Sequence, residues 1–118
     1  MTNSIDEVAG AKCILLIGSN IAVSHPIIEV EVKRAVLNGA KLIIINPRRI
    51  DTNSWAHLWL RLRPGTDVAL LNAMAHVILK EGLENRAFIQ ERTEDFEKVQ
   101  GILDAVDLEE ASRISDVP

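Results

Sequence analysis

Two five-residue runs, CILLI (Cys13–Ile17) and KLIII (Lys41–Ile45), show no alternation of polar and apolar positions. Parallel strands covered on both faces have this pattern. Between them, HPIIEVEVKRAVLNG sets Ile28, Val32, Ala35 and Val36 on one helical stripe. Ser24 or His25 can cap that helix, Pro26 fits a first turn where no amide partner is lost, and Asn38-Gly39 can end it. Strand, helix (Pro26–Asn38) and strand at this spacing predict a right-handed βαβ unit with adjacent parallel strands.

A third, short strand is expected in HLWLRL (His57–Leu62), where residues alternate. In RPGTDVALLNAMAHVILKEG, Thr66 or Asp67 caps a helix whose apolar face is Val68, Leu71, Met74, Ala75 and Ile78, closed by Gly82. Only helical patterns follow, over Asn85–Glu91, Thr93–Asp104 and Asp107–Ser115. The last opens on Asp107-x-x-Glu110, a capping-box variant. The fold class is therefore α/β: a partial, three-layer, doubly wound (Rossmann-like) parallel sheet with a helical C-terminal part. Residues 1–118 read as a single domain, 1–83 its α/β part and 84–118 its helical part. Three strands are few for such a sheet, so a piece of a larger domain is expected.

Composition narrows the function classes. With 118 residues, 47% of them hydrophobic, the chain can bury a core. Its one cysteine, Cys13, excludes a disulfide framework, a four-cysteine zinc site and a cysteine-ligated iron–sulfur cluster within this chain. Inside an apolar strand, Cys13 is expected to be a buried, inert thiol. No apolar run reaches the roughly 18–20 residues that span a bilayer, and MTNSIDEVAG is too polar and acidic for a signal peptide. A cytoplasmic setting without direct membrane insertion is expected. Aromatics are 3% and no basic stripe occurs, which argues against nucleic acid. The net charge of −4 is uneven: residues 1–83 carry nine Lys/Arg against seven Asp/Glu, residues 84–118 four against ten. A small anionic ligand on the first part remains open.

In an open parallel sheet, ligands bind at the carboxyl ends of the strands. Three loops leave those ends: GSNIAVSHP (Gly18–Pro26), NPRRIDTNS (Asn46–Ser54) and RPGTD (Arg63–Asp67). The first offers backbone amides before a helix, suited to phosphate. The second offers Asn46 at the strand tip and Arg48 and Arg49, which fork onto phosphate or stack on a base. The third places Thr66 and Asp67 at another helix start, where a carboxylate can accept from a guanine edge. A nucleotide suits the set. The bland reading stays open beside it: Gly18 opens no G-x-G-x-x-G, and Ser24, Thr66 and Asp67 can be caps alone. His25 reads as a helix-start residue, while His57 and His76 lack partners at metal-ligand spacing. Arg61 and Arg63 read as surface charges, Trp55 and Trp59 as core or interface residues.

The segments MTNSIDEVAGAKCILLIGSN, HPII, VKRAV, NGAKLIIINPRR, AHLWLRLRPGTDVALLNAMAHVILKEGL and FIQERTEDFE, in this order, resemble the molybdopterin oxidoreductase family. The likeness is greatest to the large subunit of formate dehydrogenases and runs through nearly the whole chain. It implies that the chain binds one arm of a bis-molybdopterin guanine dinucleotide cofactor (bis-MGD). The family's Gly-Ser-Asn loop, which contacts phosphates and ribose, matches Gly18, Ser19 and Asn20, with Ser24 and His25 closing the loop. Its Asp-Pro-Arg-Arg tip, which addresses the nucleoside, matches Asn46, Pro47, Arg48 and Arg49. Its Gly-Thr-Asp turn, at the guanine end, matches Gly65, Thr66 and Asp67.

Two positions depart from the family: Asn46 replaces the usual Asp, and Ala56-His57 the usual Ala-Asp. The resemblance further implies that molybdenum or tungsten and an iron–sulfur cluster are bound by parts absent here, and that Met1 matches an internal methionine. No catalytic and no metal-ligating residue is assigned within this chain, which alone is expected to be inactive. The implied partners are the remaining domains of the same subunit and electron-transfer subunits; a homodimer of the fragment stays open. Two other readings stay open: the iron–sulfur large subunit of an NADH:quinone oxidoreductase, and a free-standing, non-catalytic nucleotide-binding or interaction module.

Overall fold

The computed structural model describes residues 4–118, so the expectation for Met1 lies outside the described residues. The chain divides into two compact units, Met1–Arg61 and Leu62–Pro118.

In the first unit a 3₁₀ helix (Ile5–Gly10) precedes β1 (Cys13–Ile17), α1 (Ile21–Ser24), α2 (Pro26–Leu37) and β2 (Lys41–Ile45). A second 3₁₀ helix (Asp51–Trp55) and β3 (Leu58–Leu60) follow. The sheet runs β1-β2-β3, all parallel, with Leu15 beside Ile43 and Ile43 beside Leu58. β1 and β2 are adjacent, with α2 crossing between them as the apolar pattern requires. Strand side chains alternate between faces, so Ile14, Leu16, Leu42, Ile44 and Trp59 turn to one side. There they pack with Ile21, Ile28, Val32 and Val36, and Leu42 and Ile44 lose all solvent contact. Each such side chain contributes about 1.5–3 kcal/mol by burial.

The other face corrects two expectations. β1 is not covered on both sides: Leu15 and Leu58 are 43% and 48% exposed. Cys13 points the same way as Leu15 and is exposed rather than buried. The physical reason is topological. An unalternated apolar run marks a parallel strand, but β1 lies at the sheet edge, and α2 lies over the even-numbered side chains of β1 and β2 alone. β3 is also shorter than expected. His57 precedes it, and its Nδ1 accepts from the Leu42 amide at 3.3 Å.

The second unit holds α3 (Asp67–Lys80), α4 (Arg86–Arg92), α5 (Phe96–Asp104) and α6 (Leu108–Ser115). α3 packs with α5 and α6, and the His76 Nδ1–H donates to the Leu103 carbonyl at 2.8 Å. The apolar face read for α3 is wrong in part: Val68, Leu71 and Ile78 are exposed, whereas Leu70 is buried. This helix is apolar nearly all round, so periodicity alone does not say which side meets α5 and α6. α5 starts at Phe96 instead of Thr93 because Asp95 takes a left-handed φ of 55°. Asp107 does cap α6, accepting from the Glu109 and Glu110 amides. No described helix is long and apolar enough to cross a membrane.

Candidate functional site

At the end of β1, Gly18 turns the chain out of the sheet with φ 59°, a region costly for any residue with a Cβ. Its amide still bonds the Ile45 carbonyl at 2.9 Å. The Asn20 carbonyl then gathers the loop, accepting from the amides of Val23 and Ser24 and from Ser24 Oγ at 3.0 Å. Ser24 Oγ also hydrogen-bonds the His25 ring, with Nδ1 at 2.8 Å. Ser24 and His25 thus close the loop on itself. His25 occupies the cap position of α2 without a side-chain cap bond, and Pro26 is the first helical residue. The amides of Ser19 and Asn20 have no acceptor among the described residues.

Asn46 directly follows β2 and is 6% exposed. Its Oδ1 accepts from the Arg48 amide at 3.0 Å, and its Nδ2 donates to the Ser19 carbonyl at 3.5 Å. The first two loops therefore meet at the carboxyl ends of β1 and β2. The Trp59 indole donates to the Asn46 carbonyl at 2.8 Å, and Arg61 Nε to the Pro47 carbonyl at 3.3 Å. Arg61 is thus an exposed strap on the loop and not simply a surface charge. Arg48 and Arg49 are exposed, with no acidic partner among the described residues.

The 3₁₀ helix after this loop is fastened to α2 by residues that sequence reasoning did not single out. Thr52, wholly buried, donates its hydroxyl to Glu29 Oε1 at 3.2 Å. Lys33 Nζ approaches the same oxygen at 3.1 Å and lies 5.5 Å from the centre of the Trp55 ring. Only the i,i+4 spacing of Glu29 and Lys33 signalled this in the sequence.

Gly65, Thr66 and Asp67 belong to the second unit. Pro64-Gly65 forms a tight turn with Gly65 at φ 81° and the Thr66 amide on the Arg63 carbonyl at 3.2 Å. Proline followed by a positive-φ glycine is the signature of a type II turn. The Thr66 hydroxyl also donates to Arg63, at 2.6 Å, so Thr66 sits at the cap position without capping α3. Asp67 is the first residue of that helix and is partly buried.

A cavity of about 520 Å³ elsewhere in the second unit is lined by Glu84, Arg86, Ile89, Phe96 and Gln100, among others, and by none of the residues above. In its wall, the hydrogen bond from Arg86 Nε at 2.7 Å, aided by a backbone hydrogen bond, holds the Glu84 carboxyl below the ordinary 4.5. A carboxylate depressed in the folded state adds stability above its unfolded value and loses it as pH falls through the folded one. The stability difference between the native chain and Glu84→Gln should therefore shrink as pH is lowered below about 4.5. Urea melts at stepped acidic pH check this; a difference that grows toward low pH would contradict it.

Among the described residues, no group of three or more His, Cys, Asp or Glu side chains could hold a metal ion. At the first unit's strand ends, the Arg48 and Arg49 guanidinium groups and the Ser19 and Asn20 amides, without partners among the described residues, are donors of the kind that bind phosphate.

The family model for molybdopterin oxidoreductases matches residues 1–104, and the chain belongs to this family. It is 48% identical over 117 residues to the F420-dependent formate dehydrogenase subunit alpha of Methanocaldococcus jannaschii, covering 99% of this chain and 17% of that protein. Formate dehydrogenase H of Escherichia coli K12 is 40% identical, covering 99% and 16%. The assimilatory nitrate reductase catalytic subunit of Bacillus subtilis 168 is 38% identical, again covering 99% and 16%. Among solved structures, acetylene hydratase from Pelobacter acetylenicus superposes with a TM-score of 0.80 at 29% identity, covering 97% of this chain and 17% of that one. The chain thus spans about one sixth of the length of these proteins.

Proposed function

We propose that the chain is part of a formate dehydrogenase-like molybdenum or tungsten oxidoreductase subunit and helps bind the guanine dinucleotide of a bis-MGD cofactor. The observation that carries this reading is the pair of linked loops, where, among the described residues, the Ser19 and Asn20 amides on one and the Arg48 and Arg49 side chains on the other have no partner. In it, Gly18, Ser19 and Asn20 receive phosphate and ribose, and Ser24 and His25 hold that loop closed. Arg48 and Arg49, beyond Asn46-Pro47, neutralise phosphate or stack on the base. On the second unit, the turn through Gly65 and Thr66 sets Asp67 at the start of α3, and the family resemblance assigns its carboxylate to a guanine edge, which offers two N–H donors where adenine offers one. When bound in the whole enzyme, the cofactor supplies the metal-centred electron transfer that takes formate to carbon dioxide. Iron–sulfur clusters and electron-transfer subunits belong to other parts. The formate reading is supported by identities of 48% and 40%; the 38% nitrate reductase makes nitrate reduction the competing parent activity. The isolated chain should oxidise no formate, since it holds no metal-ligating or electron-relay residue that we assign.

An NMR titration of the 118-residue chain with GDP and ADP tests the binding. With only part of a pocket, affinity should be no better than about millimolar, roughly 4 kcal/mol, and should weaken with salt. Arg48→Ala should weaken both nucleotides alike, whereas Asp67→Ala should remove the preference for GDP. Shifts that avoid Gly18–Asn20 and Arg48–Arg49 would sink the proposal.

A further inference from the structure

We infer that Asn46 is a positioning residue: its neutral amide ties the Ser19 carbonyl to the tip of β2 and so presents the phosphate-side loop, without itself touching the nucleoside. This rests on the nucleotide reading above and moves one residue of it from contact to support. Asn46 is 6% exposed, and each of its polar functions is engaged within the first unit. Its amide bonds Leu60, its carbonyl receives the Trp59 indole, Oδ1 receives the Arg48 amide and Nδ2 reaches Ser19.

The orientation of the side-chain amide is dictated by its neighbours. An Arg48 N–H can only donate and a Ser19 carbonyl can only accept, so Oδ1 must face the first and Nδ2 the second. A carboxylate would satisfy Arg48 equally well but would set an anionic oxygen against the Ser19 carbonyl. The consequence passes through the backbone. In a trans peptide the carbonyl and the following N–H point in opposite directions. Holding the Ser19 carbonyl toward Asn46 therefore turns the Asn20 N–H away from the sheet tip, and that amide is one of the two without an acceptor among the described residues. At this position the amide is the working group, and the family's usual Asp would lack its donor.

Two variants of the 118-residue chain separate the two bonds. Asn46→Asp keeps the shape and the acceptor but loses the donor when ionised. Asn46→Ser keeps an oxygen for Arg48 but is too short to reach Ser19, and decides the matter if the Asp variant fails to fold. Amide hydrogen exchange is read at Gly18–Val23 and at Leu42–Ile45. Dissociation constants are measured by NMR for GDP, ADP and inorganic pyrophosphate. The expected result is faster exchange in the loop with unchanged exchange in β2. All three ligands should weaken by one common factor of about five to ten, the scale of one neutral hydrogen bond. Loss confined to GDP and ADP, with pyrophosphate unaffected, would make Asn46 a nucleoside contact and overturn the inference. Unchanged loop exchange in both variants would overturn it too. A native chain that binds none of the three, with the loop exchange still responding, would refute the nucleotide reading and leave Asn46 a loop tie only.

Discussion

Leu42→Ala should destabilise the first unit by about 3–4 kcal/mol, within the usual range for a leucine truncated in a tight core. Leu42 sits on the central strand with no exposure and packs in the cluster of Ile21, Val32 and Ile44. β1 and β3 are held by the parallel ladder on either side of β2, so the neighbours cannot collapse fully into the space left behind. Leu15→Ala is the control on the opposite face of the sheet. At 43% exposure it should cost under about 1 kcal/mol, because little transfer free energy and no closed cavity are involved. Both tryptophans, Trp55 and Trp59, lie in Met1–Arg61, so fluorescence-detected urea melts report this unit alone. Equal losses for the two variants would show that the covered face has been misassigned.

Glu29→Ala should cost the same unit about 2–3 kcal/mol. The change removes the acceptor for the wholly buried Thr52 hydroxyl and the anion beside Lys33. Burial makes the orphaned Thr52 donor more expensive than the loss of an exposed pair. The loosened element is the Asp51–Trp55 helix, which follows Arg48 and Arg49 after one residue, Ile50. Glu29→Gln keeps an acceptor for Thr52 and should cost about half as much. Backbone exchange at Asp51–Trp55 should rise in the alanine variant before the rest of the unit melts. Unaltered exchange there would mean that the helix is held by Trp55 packing and not by the Glu29–Thr52 bond.

Much of the first unit was legible along the chain because its signals are local. A five-residue apolar run, a proline at a helix start and an Asn-Gly at its end each act within a few residues. β1, β2 and the start of α2 accordingly fall at the expected positions, and α2 ends one residue early, at Leu37. The motifs Gly-Ser-Asn, Asn-Pro-Arg-Arg and Gly-Thr-Asp were readable for the same reason, since each is a contiguous loop at an element boundary. The short helix α1 and both 3₁₀ helices escaped, because single turns carry too few periodic positions to stand out.

What the sequence by itself determined is the βαβ unit, its parallel pairing and the residues of its strand-end loops. Tertiary structure alone decided which face each apolar residue meets. Cys13 and Leu15 share a run with Leu16, yet only Leu16 packs against the core, because α2 crosses one side of β1. Val68 and Leu70 are two residues apart on an all-round apolar helix, and only the placement of α5 and α6 separates exposed from buried. The side-chain partner of Asn46 was chosen in the same way: Ser19 lies 27 residues away in the chain. A side chain's chemistry is local, but its partner is chosen by the fold.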